Sequence, residues 1–195
     1  MKLDYVNRII DIEKTDSTQN MAREVIKENP AGNILIIAGE QTNGRGQRGA
    51  EWSSNPGGLY FTLVTKCPIP DSNLPDLSLK TSEAVKETLA EYGIISRIKP
   101  PNDVYAKHNE KYYKIAGILI DVVPAVGAGE AVPAGGNGKY LLFGIGINTN
   151  NELPKELPEA VSMKKILKKE TEREDFLKKF FKVFWEKFKI CQCGI

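Results

Sequence analysis

At 195 residues, with 27 basic against 25 acidic side chains and a formal charge of +2, the chain lacks the positive excess of a nucleic-acid-binding protein. Its 41% apolar content suits one soluble globular domain, and no apolar run approaches the ~20 residues that a membrane span requires. Three cysteines, an odd number in a chain of this length, argue against a disulfide framework and fit a reducing, cytoplasmic compartment.

Val6 to Ile12 reads as a short strand. Asp16-Ser17-Thr18-Gln19 follows as a helix start, with a capping residue and Gln at the third position after it, and predicts a helix to about Glu28. Asn29-Pro30-Ala31-Gly32 stops that helix, and the continuous apolar run Ile34 to Ala38 predicts a buried strand. A wholly polar, glycine-rich stretch from Glu40 to Glu51 comes next, then a turn cluster at 53–58 and a strand from Leu59 to Thr65. Beyond the proline-rich connection from Pro68 to Pro75, Leu77 to Tyr92 predicts a helix that ends at Gly93. Ile94 to Ile98 reads as a short strand closed by Lys99-Pro100-Pro101-Asn102-Asp103. A turn centred on Asn109 then leads into a strand from Tyr112 to Val123. Pro124 to Gly138 is nearly all Ala, Gly, Val and Pro and predicts a mobile hairpin tip, with Tyr140 to Ile147 as the returning antiparallel strand. After Asn148 the pattern turns helical. Thr171 and Glu174 form an expected capping box, and Phe176, Phe180, Phe184 and Phe188 recur on one core-facing stripe. Hairpins, long connections and a few helices together predict an α+β domain whose sheet is at least partly antiparallel. Cys191 and Cys193 close the chain without a third or fourth ligand nearby, so no metal site is expected.

Residues 44–49, Gly-Arg-Gly-Gln-Arg-Gly, match Gly-x-Gly-x-x-Gly, but the context opposes a dinucleotide fingerprint. That fingerprint opens a helix inside a βαβ unit, whereas this segment runs into a Pro-Gly-Gly turn and a strand. No Lys-Ser/Thr follows the last glycine, which removes a Walker loop, and the His-Arg-Asp loop of a kinase is absent. What remains is a polar loop whose backbone N–H groups can wrap an anion while arginine adds forked, charge-assisted bonds. Four further segments carry chemistry: the hydroxyl pair Ser17-Thr18, the amide of Gln41, Pro101-Asn102-Asp103, and Lys114-Ile115-Ala116-Gly117-Ile118-Leu119, in which a lysine opens a buried-looking strand. Gly144-Ile145-Gly146-Ile147-Asn148 adds strand glycines and a terminal amide.

In this order, over residues 16–150, these segments resemble the biotin–protein ligase family. The resemblance implies a mixed, largely antiparallel central sheet with helices packed mainly on one side. It also implies one catalytic domain over 1–195, without the N-terminal DNA-binding domain or the C-terminal β-rich domain that other members carry. The activity implied is ATP-dependent formation of biotinyl-5′-AMP and transfer of biotin to a lysine of a biotin carboxyl carrier domain, with magnesium on the phosphates. By resemblance, biotin would meet Ser17, Thr18, Gln19, Gln41, Gly44, Arg45, Gly46, Gln47, Lys114 and Gly117. ATP would meet Arg45, Arg48, Trp52, Asn102, Lys114 and Asn148, and catalysis would fall to Lys114, Arg45 and Asp103. No nucleic acid or membrane is expected as a partner, and the homodimer common in the family is left open.

Four positions depart from the family pattern. Gln47 and Ala50 stand where arginine is frequent, Gln19 where Asn often follows Ser-Thr, and Pro100 where Trp usually precedes Pro-Asn-Asp. Gln47 predicts a weaker hold on the adenylate. Two other readings stand beside the main one. A lipoate or octanoate–protein ligase lacks support because no Arg-Arg-x-x-Gly-Gly-Gly loop is present, and a non-catalytic biotin-binding protein is opposed by the joint presence of Arg45, Asp103 and Lys114.

With no apolar residue between Thr42 and Gly49, the loop has little to bury when empty. Its amides should exchange faster in the free protein than when biotin and ATP are added. Unchanged hydrogen exchange across 42–50 would contradict that expectation.

Overall fold

The computed structural model describes residues 1–28, 30–66, 74–124 and 139–188. Its strands are β1 (Arg8–Thr15), β2 (Ile34–Gln41), β3 (Leu59–Lys66), β4 (Ser96–Lys99), β5 (Asp103–His108), β6 (Lys111–Pro124) and β7 (Lys139–Ile147). The helices are α1 (Thr18–Val25), α2 (Leu74–Glu91), α3 (Met163–Leu167) and α4 (Arg173–Lys187). A seven-stranded sheet runs β1-β2-β3-β7-β6-β5-β4. Only β1 and β2 are parallel; every other neighbouring pair is antiparallel, as the sequence predicts.

Alternation along each strand divides its residues between two faces. Leu35 and Ile37 of β2, Phe61 and Leu63 of β3, and Phe143 and Ile145 of β7 face one way and join α2 and α4 in the main core. The phenylalanine stripe of α4 is buried there as expected: Phe180 packs edge-on to Phe61 with ring centroids 5.4 Å apart, and Phe184 does the same to Phe143 at 5.4 Å. On the opposite face Ala22, Val25 and Ile26 cover Ile34, Ile36, Val64, Tyr140 and Leu142 in a smaller cluster. The helices thus lie mainly on one side, and α1 sits alone on the other.

Three local expectations need correction. Asp103 opens β5 rather than closing β4; Val104 and Ala106, the buried positions of that short strand, are too few to stand out as a pattern. The N-cap of α1 is Ser17, whose Oγ accepts the Gln19 N–H at 3.2 Å, while Asp16 accepts the Ser17 N–H at 2.6 Å from one position outside. The capping box at Thr171 and Glu174 does not form. Asn150 instead accepts the Thr171 N–H and donates to its carbonyl, both at 2.9 Å, while Glu174 pairs with Lys178 at 2.7 Å. A side chain from elsewhere in the fold outcompetes the local motif. The hairpin expected around Pro124 to Gly138 is supported by its stem, in which Pro124 pairs with Lys139 and Val123 with Tyr140. The tip itself lies outside the described residues.

Phe180 contacts three aromatic rings and is fully buried. Phe180→Ala is expected to lower stability by about 3–5 kcal/mol, read from urea unfolding, with a loss below ~1 kcal/mol contradicting a well-packed stripe.

Candidate active site

On the α1 face the middle of the sheet is bare. Gly117 of β6 and Gly144 and Gly146 of β7 lie opposite one another or nearly so, with Gly117 paired to Gly146 and Leu119 to Gly144. A methyl group on Gly144 would collide with the Gln19 amide, and one on Gly146 with the Trp52 indole nitrogen. One on Gly117 would stand 2.8 Å from the Trp52 ring. The absent side chains let Gln19 and Trp52 settle onto the sheet, where with these glycines they line a cavity of ≈ 400 Å³ walled by the start of α1, the 45–52 loop and the 99–103 segment. That volume lies within the range of small-molecule sites.

One end of the cavity is a hydroxyl and amide network. Gln41, at the end of β2, accepts the Thr18 N–H at 2.8 Å and the Thr18 hydroxyl at 3.1 Å through Oε1, and donates from Nε2 to Ser54 Oγ at 2.8 Å. Thr62 donates to Thr18 Oγ1 at 2.9 Å from the strand beneath. Gln19, 3% exposed, bridges two strands by donating to the carbonyls of Leu119 at 3.1 Å and Leu142 at 3.2 Å. Its Oε1 and the Trp52 Nε1 are buried without a hydrogen-bond partner. Each orphan of this kind costs about 1–3 kcal/mol.

The other end is ionic. Lys114 Nζ lies 2.8 Å from Asp103 Oδ1 and 5.3 Å from the centre of the Trp52 ring. The carboxylate and ammonium meet by proximity, without the alignment of a hydrogen bond. A bulge makes the pairing possible. The β5–β6 register shifts between Val104 and Tyr105, so that Asp103 opposes Gly117 while Tyr105 opposes Lys114. The extra residue leaves two consecutive side chains, Ile115 and Ala116, buried in the same core, and it returns Lys114 to the cavity face. The main chain of Lys114 is held separately: its N–H donates to Glu159 O at 2.7 Å and its carbonyl accepts from Val161 N–H at 2.9 Å.

The loop between these ends is tied at its base. Thr42 N–H donates to Thr15 O at 3.0 Å, Asn43 N–H to Asp16 O at 2.8 Å, and Trp52 N–H to Gly44 O at 2.9 Å. Its tip is one tight turn over Gln47–Gly49, with Arg48 at φ 57° and Gly49 at φ 79°, left-handed values that favour glycine at the second position. Arg45 Nη1 donates to Asn20 Oδ1 at 3.1 Å, and Asn20 Nδ2 donates to Asp16 Oδ2 at 2.6 Å. The Asn20 amide, with help from the Ser17 N–H and the Thr15 hydroxyl, holds the Asp16 carboxyl below its usual range.

Residues 12–135 match the Biotin/lipoate A/B protein ligase family. The chain belongs to that family. Among its relatives, the bifunctional ligase/repressor BirA of Bacillus subtilis is 34% identical over 148 residues, covering 73% of this chain and 42% of its own length. The biotin–[acetyl-CoA-carboxylase] ligase of Paracoccus denitrificans is 34% identical over 140 residues, covering 69% and 52%. The chain therefore spans about half the length of these relatives. The biotin protein ligase of Aquifex aeolicus, solved in complex with biotin and ATP, superimposes with a TM-score of 0.75 at 32% identity, over 94% of this chain and 71% of that one. An archaeal lipoate protein ligase from Thermoplasma acidophilum, at 14% identity and a TM-score of 0.62, shares the fold alone.

The ligase fold brings most of the sequence-predicted residues to one cavity. Ser17, Thr18, Gln19 and Gln41 line its hydroxyl end, Arg45, Gly46, Gln47, Arg48 and Trp52 its loop wall, and Asn102, Asp103, Lys114 and Gly117 its ionic end. Gly44 and Asn148 are not in the lining. Gly44 is buried beneath the loop, where a side chain would strike the Trp52 carbonyl. Asn148 is 3% exposed at the end of β7; its N–H donates to Ile115 O at 2.8 Å and its amide oxygen accepts from Asn151 at 3.1 Å. Lys99, Leu119, Gly144 and Gly146 join the lining without having been singled out as site residues. For the glycines the signal was available: two of them at alternate positions on one strand mark a bare stripe.

Gly146→Ala is expected to lift the Trp52 indole off its seat, moving tryptophan emission to longer wavelength and costing about 1–3 kcal/mol in thermal unfolding. Unchanged emission would mean that the indole does not rest on the glycine floor.

Proposed function

We propose that this chain condenses biotin with ATP to biotinyl-5′-AMP and passes the biotinyl group to a lysine of a carboxylase carrier domain. The observation that carries the reading is the Lys114–Asp103 pair packed against Trp52 at one end of a glycine-floored cavity whose other end is a matched amide and hydroxyl set. A ureido ring needs both acceptors and donors when it leaves water, and Thr18, Gln41 and Ser17 supply both. A dithiolane or a plain acyl chain has no group that could add a bond to this polar wall, whose members already bond one another, which favours biotin over lipoate or octanoate.

In the first step a carboxylate oxygen of biotin attacks the α-phosphorus of ATP. An acyl–phosphate bond forms, the bond to the bridging oxygen breaks, and pyrophosphate departs with the electron pair. Two anions must approach each other, so fixed cations between them contribute most. Lys114 takes that position, with Arg45 and Arg48 on the loop wall. Gln47 supplies hydrogen bonds there without charge. Magnesium would neutralise phosphate charge. The cavity offers it two carboxylates, Asp103 and Glu51, and no group of three His, Cys, Asp or Glu occurs among the described residues, so phosphate oxygens and water would complete its shell.

In the second step the amine of the acceptor lysine attacks the acyl carbon, an amide forms, and AMP leaves. That amine arrives as an ammonium and must lose a proton. Asp103, whose carboxylate stands 2.8 Å from Lys114 Nζ, would sit beside the acyl centre, suited either to take that proton or to orient the incoming nitrogen.

Biotin-dependent exchange of pyrophosphate into ATP is the expected activity, and Lys114→Ala should lower it about 10²-fold or more while leaving the fold intact. A wild-type protein that binds biotin yet shows no exchange would remove the catalytic reading and leave a binding protein.

A further inference from the structure

Among the described residues the Arg45 guanidinium hydrogen-bonds one side chain, and that side chain is outside the cavity lining. It is Asn20, in the first turn of α1. The orientation of the Asn20 amide is not free. Its Nδ2 is committed to Asp16 Oδ2 at 2.6 Å, which turns Oδ1 toward the Arg45 Nη1 at 3.1 Å. Asp16 is fixed in turn, its Oδ1 accepting the Ser17 N–H at 2.6 Å and the Thr15 hydroxyl at 3.2 Å. The main chain of Asp16 also receives the Asn43 N–H at 2.8 Å, at the base of the same loop. A three-residue relay therefore runs from the helix start that carries Ser17 and Thr18 to the arginine of the loop.

We infer that Asn20 is a positioning residue, which holds Arg45 over the cavity and couples the hydroxyl end of the site to closure of the 44–50 loop. Apart from its ties at 42, 43 and 52, the loop keeps itself together by two internal bonds, Gly46 N–H to Ala50 O at 2.7 Å and Ala50 N–H to Gln47 O at 3.1 Å. Neither bond reaches the rest of the protein. The Asn20 amide is thus the side-chain stitch between the loop and α1, and a neutral amide can hold a guanidinium without cancelling its charge. That property matters for an arginine that must still attract an anion: a carboxylate at position 20 would neutralise it.

Asn20 is partly exposed and belongs to neither hydrophobic cluster, so its loss should act on the loop and not on folding. In the protein alone, Asn20→Leu is expected to speed hydrogen exchange at the Gly46 and Ala50 amides about five- to tenfold, with an unchanged melting temperature, and Asn20→Gln should restore part of the protection. This arm does not depend on the substrate assignment. Equal exchange in wild type and Asn20→Leu would overturn the proposal, as would a rise in exchange matched by a fall in melting temperature. The second arm rests on the biotin reading: Asn20→Leu should raise the KM for biotin more than it lowers kcat, and should raise the escape of biotinyl-AMP, seen as biotin on bystander lysines. If loop exchange responds but the KM and escape do not, the coupling to the site is refuted. A wild-type protein without biotin-dependent exchange counts against the function and leaves the loop result standing.

Discussion

Side chains of adjacent strand residues point to opposite faces, and in β6 and β7 this alternation makes two faces with opposite requirements. Phe143, Ile145 and Ile147 must fill the main core, while Gly144 and Gly146 between them must fill none. A slip of one residue in this pairing would put glycines into the core and phenylalanine into the cavity. The aromatic helix on one face thus helps to enforce the bare floor on the other. Stability and ligand space are set by the same register.

A single irregularity is added to that regular frame. Without the bulge opposite Val104 and Tyr105, the β6 residues nearest Asp103 would keep strict alternation, and a residue three before Gly117 could not share its face. The inserted residue is what lets Lys114 stand beside Asp103. Burying Ile115 and Ala116 side by side contributes to the core at the same time, so the distortion is compensated where it occurs. Trp52 then completes the arrangement from the loop: it covers two glycines and presents its ring to the ammonium.

Much of this was legible in the sequence where one residue type has one physical use. The continuous apolar run at 34–38, the phenylalanines of α4 and the lysine strand at 114 each pointed to the right element. Strand β5 was less visible because only Val104 and Ala106 of its six residues are buried, too short a pattern to separate from a turn. The capping box at Thr171 failed because Asn150, 21 residues away, takes both backbone groups of that residue. Asn148 looked like a site amide at a strand end, yet its backbone is bound to Ile115 and Met163 and its side chain to Asn151. Asn20 gave no signal at all, since its role exists only when the 45 loop folds back onto α1. Local patterns announce elements, whereas contacts between distant segments decide which polar groups are left for a ligand.

The backbone of Lys114 is gripped by the main chain of Glu159 and Val161. These two bonds anchor the main chain of the lysine without any contribution from the arginine loop. Movement of that loop would leave this mount where it stands while carrying two cations of its own, Arg45 and Arg48, with it. One wall of the cavity can thus shift its charge against a second that stays anchored.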